Sequence, residues 1–307
     1  MKRCRFPTVA AAPVRPLSSA SRLQIVRRIP KQTLIRAGEK DLSVNVMSYN
    51  SARDELFLAD SGNKVVRAMR MRNNAGDLRD VYRAPHDTSP LEWSVCHMSD
   101  SDTLLVCSAE EEPDGELANW LVALSRNGSE WREAQRVQTD GGGMISCALS
   151  DSRVLIGEFD STYMELFRVE SGPRIEHVHR IHVPEQYWWF SAKCGSDTLV
   201  AMTYQSPNQS VRVHRLRGDR LEELARIQLK CPTNLLWLSD RLLVTDTDVQ
   251  MKSHAVIELE MSDMRLERRR ELIATSENIF VSSLCAVNNG LAIFDYKSND
   301  ILHYSFV

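Results

Sequence analysis

Ser239-Asp240-Arg241-Leu242-Leu243-Val244-Thr245-Asp246 is the stretch on which the reading of this chain turns. Its polar pair favours a tight turn, and the leucine and β-branched run that follows has the composition of a buried strand. Versions recur as Ser101-Asp102-Thr103-Leu104-Leu105-Val106, Ser150-Asp151-Ser152-Arg153-Val154-Leu155 and Ser196-Asp197-Thr198-Leu199-Val200. A turn-plus-strand phrase returning at roughly 45 residues points to propeller units, because solenoid coils are shorter.

Each unit lays out as four strands. Small-residue-rich apolar segments open the units at Val44–Ser48, Trp93–Ser99, Met144–Ser150, Trp189–Gly195, Thr233–Ser239 and Val281–Asn288. The second strands are Leu56–Asp60, Leu104–Ser108, Val154–Glu158, Leu199–Thr203, Leu242–Asp246 and Leu291–Asp295. Their last residues fall at one register, 48, 50, 45, 43 and 49 positions apart, and all six are polar after an apolar run. Third strands alternate in polarity as half-buried strands do, and fourth strands are the most polar, as outer edges need to be. Strong helix formers across Leu266–Glu271 make a short helix the competing reading of the fifth unit's outer strand.

The sixth unit stops one strand short. Several outer strands end in Arg plus a small or branched apolar residue, as in Arg136-Val137, Arg180-Ile181 and Arg226-Ile227, and Leu23–Pro30 ends in the same way with Arg28-Ile29. The expected architecture is therefore all-β: a six-bladed β-propeller of four-stranded blades, with an N-terminal strand at about residues 22–30 completing the last blade. Residues 21–307 form one propeller domain in this reading, and residues 1–20 form a basic tail.

That tail carries Lys2, Arg3, Arg5 and Arg15, and no acidic residue precedes Glu39. Its composition reads as a disordered tail, with an organelle-targeting segment as the alternative. The seven cysteines are odd in number and include no CxxC pair, which favours reduced structural thiols and an intracellular, cytoplasmic location. A net charge of −3 argues against broad nucleic-acid binding, and no apolar run is long enough to span a membrane. The sequence offers no Gly-rich phosphate loop, nucleophile elbow or zinc-ligand framework to support catalysis.

Asp54-Glu-Leu-Phe-Leu-Ala-Asp60-Ser-Gly-Asn63-Lys-Val-Val-Arg67 resembles an NHL-type blade in its order of strand, Asp-Ser-Gly-Asn turn and strand. Elsewhere the likeness is to the four-strand rhythm of six-bladed propellers of the NHL and TolB-like kind, while the WD40 signature is missing. Some relatives of that shape, the lactonases among them, hold calcium at the channel mouth through Glu, Asn and Asp. Carried over by residue type, the likeness implies Glu92, Asn45, Asn234 and Asp246 as a calcium set, and a calcium-dependent hydrolase, lactonase or lyase as the alternative function.

In a propeller the loops from fourth to first strands and from second to third strands share one face. The register places Asp60, Glu110, Glu111, Glu112, Asp114, Glu158, Asp160, Asp246, Asp248 and Asp295 there, an acidic rim suited to a basic peptide. The competing reading is that Asp60, Asp246 and Asp295 accept backbone N–H bonds in their own turns. Tyr187-Trp188-Trp189-Phe190 opens the fourth unit on the same face; strand alternation sends Trp189 inward and leaves Tyr187 and Trp188 as exposed anchors. His177, His179 and His182, and the run Arg268-Arg269-Arg270, read as solvated outer edges. The expected function is a non-enzymatic platform for a peptide or protein partner, without a cofactor, contacted through Trp188, Tyr187, Asp60, Glu110, Glu158, Asp246 and Asp295.

Overall fold

A computed structural model describes residues 23–72, 78–83, 93–111, 115–141, 145–149, 152–170, 172–205, 208–248, 250, 253–288 and 290–306. The basic tail, Glu92, Glu112 and Asp114 lie outside the described residues, as does the side chain of Glu111. The short strand β1 is Leu23–Ile29. Blade 1 follows as β2 (Val44–Asn50), β3 (Glu55–Asp60), β4 (Val65–Arg70) and β5 (Arg79–Arg83), and blade 2 as β6 (Trp93–Met98), β7 (Thr103–Glu111), β8 (Leu117–Asn127) and β9 (Glu130–Thr139). Blade 3 contains β10 (Ile145–Ala148), β11 (Arg153–Gly157), β12 (Ser161–Glu170) and β13 (Arg174–Tyr187), and blade 4 contains β14 (Trp189–Cys194), β15 (Thr198–Tyr204), β16 (Ser210–Arg217) and β17 (Arg220–Gln228). Blade 5 is β18 (Pro232–Leu238), β19 (Arg241–Asp248), β20 (Ser253–Ser262) and β21 (Arg265–Ile273); blade 6 is β22 (Val281–Val287), β23 (Gly290–Asp295) and β24 (Asp300–Phe306).

Each blade is an antiparallel sheet in simple sequence order, except that the last runs β1-β24-β23-β22. The expected closure is thus present. Leu23 stands opposite Phe306 and Ile29 opposite Ile301, so the first and last strands of the chain complete one sheet. Asp300 ties the junction, accepting from the Lys31 backbone N–H at 3.0 Å and lying 3.7 Å from Arg28.

The first strands line the central channel and touch one another around the ring, with β22 against β2 at the seam. Second strands are walled by blades on both sides, which is why β3 and β23 are buried at every position, apolar between buried polar or glycine ends. The core consists of layers between blades, for example Phe57, Ala59 and Val66 of blade 1 against Trp93, Val95 and Leu104 of blade 2. The helix formers of Leu266–Glu271 lie in strand β21, since Leu266 and Ile273 are buried while Arg268, Arg269 and Arg270 reach Glu271, Glu260 and Glu258. Tertiary burial overrides propensity there.

The recurring Ser-Asp phrase forms the turns between first and second strands. Asp102, Ser152 and Ser239 take positive φ there (45°, 61° and 54°), as does Asp54 at the matching turn of blade 1 (55°). Short polar side chains tolerate this left-handed conformation better than bulky ones, which explains why the phrase is polar.

Around residues 30–43 the chain crosses from β1 to β2 and is held by Arg67. This side chain is fully buried; it donates to the Leu34 carbonyl at 2.6 Å and faces Glu39 at 2.8 Å and Asp60 at 3.4 Å. Replacing it strands the buried Asp60 carboxylate. Arg67→Ala is expected to cost about 3–5 kcal/mol of unfolding free energy in a denaturant titration; a loss within about 0.5 kcal/mol would show that the crossing segment does not depend on it.

Candidate functional site

The polar residues that end the second strands act as clips on the incoming inner strands. Asp246 accepts from the backbone N–H of Cys231 at 2.7 Å, Asp295 from Phe280 at 2.9 Å, and Asp60 from Ser43 at 3.2 Å. Asp60 also takes the Asn63 amide at 2.8 Å, and Asp295 takes the Ser298 hydroxyl at 2.7 Å. In the same register Thr203 donates to the Thr233 carbonyl at 3.0 Å. Nearby, Glu110 lies 3.0 Å from Arg136 and accepts from Ser108 at 3.2 Å.

These bonds correct the expected acidic rim. Asp60, Glu110, Asp246 and Asp295 are all buried, and their oxygens are engaged within the blades. A carboxylate at a strand end beside unpaired backbone N–H groups is more stable satisfying them than facing water as a free charge. Glu158 is half-buried and Asp160 is exposed. Asp248, also half-buried, accepts from Gln250 N–H at 3.0 Å.

Of the aromatic run, Trp188 is exposed as expected (36%) but Tyr187 is not (1%). The reason lies in the connection between blades 3 and 4. Strand β13 runs through Tyr187 and β14 begins at Trp189, so Trp188 alone joins them. Tyr187 turns back into blade 3, edge-on to Phe190, and its hydroxyl donates to the Tyr163 carbonyl at 2.9 Å. Gly157 leaves the space for it, since a Cβ there would meet the Tyr187 hydroxyl and the Phe190 ring. Burial raises the Tyr187 phenol far above its usual range. Trp189, expected inside, is half-buried, and Phe190 is the inward residue.

Trp188 borders a cleft of about 440 Å³ on the face where second strands end. Its walls are Phe159 of blade 3, Trp188 and Trp189 of blade 4, Thr247 and His254 of blade 5, and Phe280 of blade 6, with Asn234 and Asn45 among the lining groups. The Trp188 indole stacks on Phe159 with centroids 5.0 Å apart and planes 12° apart. His254 lies 4.1 Å from Phe280, which is 6.1 Å from the exposed ring of Tyr296. Phe159 and Thr247 each follow the polar residue that closes the shared register of a second strand, so position +1 of that register supplies two of the lining residues; Tyr296 holds the same position beside Phe280 but outside the lining. Phe280 lies just before the inner strand β22, and His254 faces Thr247 across the ladder.

Of the residues considered as a calcium set, Asn45 and Asn234 meet at this cleft. Asn234 is largely committed, donating to the Val281 carbonyl at 3.2 Å, and Asp246 serves the clip described above. No group of three His, Cys, Asp or Glu residues among the described residues is arranged to hold a metal ion. His177 instead lies 3.4 Å from the buried Glu165, and a bulge between Leu166 and Phe167 interrupts the strand between His177 and His179.

The opposite mouth, at the Ser-Asp turns, holds a larger hollow of about 590 Å³. Its lysine is already occupied: Lys193 lies 4.3 Å over the Trp237 ring and 3.2 Å from Asp240. The smaller cleft is the better site because it presents the exposed Trp188 indole and an Asn45 amide that no hydrogen bond among the described residues engages.

No family model and no curated protein sequence matches the chain. Solved structures share its fold. A chain of a mitotic checkpoint complex superposes with a TM-score of 0.61 at 9% identity, covering 100% of this chain and 99% of that one. The apo aldose sugar dehydrogenase of Escherichia coli gives 0.60 at 10% identity (93% and 99% covered), and Sqt1 of Saccharomyces cerevisiae gives 0.53 at 8% (86% and 85%). The chain is a six-bladed β-propeller. At these identities the likeness extends to the fold alone, and the fold hosts both enzymes and components of assemblies.

Burial holds four imidazoles, those of His97, His214, His254 and His303, below their ordinary value, and these contribute a pH response. Burial pushes both His214 and His254 down to about 4, from an ordinary value of 6.5. Between those values the unfolded chain binds more protons than the native one, so this contribution is complete above about pH 6.5 and is lost as pH falls toward 4. Glu165, raised by burial, opposes the trend, because its folded form holds a proton longer. Unfolding midpoints are expected to drop across this interval, and the slope should flatten in the double variant His214→Phe, His254→Phe. An unchanged slope in that variant would assign the acid response to other groups.

Proposed function

We propose that the propeller is a non-catalytic platform that binds a peptide or protein partner through the cleft beside Trp188. The observation that carries this reading is the exposed indole face of Trp188, backed by Phe159 and set in an aromatic hollow that five blades build jointly. Large aromatic rings on a rigid support contribute much contact at little conformational cost, and they are favoured at binding hot spots. Trp188 is also firmly placed, its backbone N–H donating to the Thr203 carbonyl at 2.8 Å. A fold relative within a checkpoint complex is consistent with an assembly role. We also read blade 1 as NHL-type, on the strength of its Asp60-Ser-Gly-Asn63 turn, in which the Asn63 amide bonds Asp60. We also propose a cytoplasmic location, on the odd number of cysteines and the lack of a CxxC pair in the sequence.

Chemical cross-linking through the cleft face, followed by mass spectrometry of the full chain in its native cells, tests the platform. Trp188→Ala is expected to weaken the main cross-linked partner about tenfold or more while changing unfolding free energy by no more than about 1 kcal/mol. Equal cross-linking by both forms would remove the cleft from the interface, and so would a loss fully explained by unfolding.

A further inference from the structure

The cleft is not only aromatic; it is neutral. Among the described residues, none that lines it is a carboxylate, ammonium or guanidinium. Its two ionisable groups are held uncharged, since burial pushes His254 down to about 4 and raises the Cys231 thiol. Of the carboxylates around it, Asp246 and Asp295 are turned inward onto the backbone N–H groups of Cys231 and Phe280, while Glu158, Asp160 and Asp248 stand outside its lining. Lys297, on the loop after Asp295, is likewise spent on the Asn278 carbonyl at 3.3 Å and its side-chain oxygen.

Polar capacity nonetheless remains in the wall. His254 is 3% exposed, and its Nδ1 is shut from water without a hydrogen-bond partner; the Thr247 hydroxyl is in the same state. Among the described residues no hydrogen bond reaches the half-buried Asn45 amide, which offers both a donor and an acceptor. An apolar hollow with a few convergent polar groups, of this volume, fits a side chain carried on a peptide backbone.

We propose that the cleft takes an uncharged aromatic side chain of the partner, packed between the Phe159–Trp188 pair and Phe280, with Asn45 bonding the partner's backbone amide. This rests on the platform reading above and specifies its chemistry. Bringing a charge into this hollow would desolvate it with no opposite charge to meet it, so charged side chains are rejected. Ring stacking and one amide contact supply recognition in place of ion pairing.

The test uses the full chain and three blocked tripeptides: acetyl-Gly-Phe-Gly-amide, acetyl-Gly-Lys-Gly-amide and acetyl-Gly-Glu-Gly-amide. Binding is read from the indole N–H resonance of Trp188, assigned by its loss in Trp188→Ala. The phenylalanine peptide is expected to shift that resonance at concentrations where the lysine and glutamate peptides do not, with at least about tenfold preference. Asn45→Ala should weaken it severalfold, and Asp240→Ala, at the opposite mouth, should leave it unchanged. Preference for either charged peptide would overturn the proposal. So would the absence of any shift with the phenylalanine peptide, or an equal response in Asn45→Ala. If the tripeptides fail while Trp188→Ala still releases the cross-linked partner, the platform stands and only its neutral aromatic specificity falls.

Discussion

The pairing of β1 with β24 is the constraint on which the rest of the molecule depends. It joins residues 272 to 283 positions apart, Ile29 with Ile301 and Leu23 with Phe306, and until it forms, the sixth blade lacks its outer strand and the seam between blades 6 and 1 is open. At that seam the Ser282 hydroxyl donates to the Val44 carbonyl at 2.8 Å, next to Asn45. The cleft draws its walls from blades 1, 3, 4, 5 and 6, so closing the ring also assembles the site. Closure further covers the edge of β24, which would otherwise template association.

The electrostatics follow from the same geometry. A propeller brings each inner strand in from the periphery, and its leading N–H groups need acceptors near the axis. Asp60, Asp246 and Asp295 provide them. Carboxylates committed in this way cannot also form a recognition surface for a basic partner. What is exposed on that face includes the Trp188 indole as well as Asp160, and the binding chemistry proposed for the cleft is apolar contact supplemented by hydrogen bonds.

The fold was legible in the sequence because the repeat unit carries its own punctuation: a polar left-handed turn, an apolar strand and a polar terminus in constant register. The closing strand could be read for the same reason, since Arg28-Ile29 matches the ends of other outer strands. The site was only half legible. Trp188 stood out as part of an aromatic run, but the run gives no sign that β13 continues as far as Tyr187, and that continuation decides which ring turns inward. Likewise, an Asp after an apolar strand reads the same whether it faces water or a backbone N–H; only the arriving chain from the previous blade, brought there by closure, distinguishes the two. Phe159 and Phe280 are single aromatics in separate loops, and their adjacency to Trp188 is a product of the ring.

The central claim is that one closed ring builds the cleft. Hydrogen–deuterium exchange across a denaturant series tests it most directly, by following the bonded amides of β1 together with the segments 231–234 and 280–282. The account expects β1 and the cleft segments to lose protection together, in one cooperative step. Release of β1 at low denaturant while 231–234 and 280–282 stay protected would contradict it.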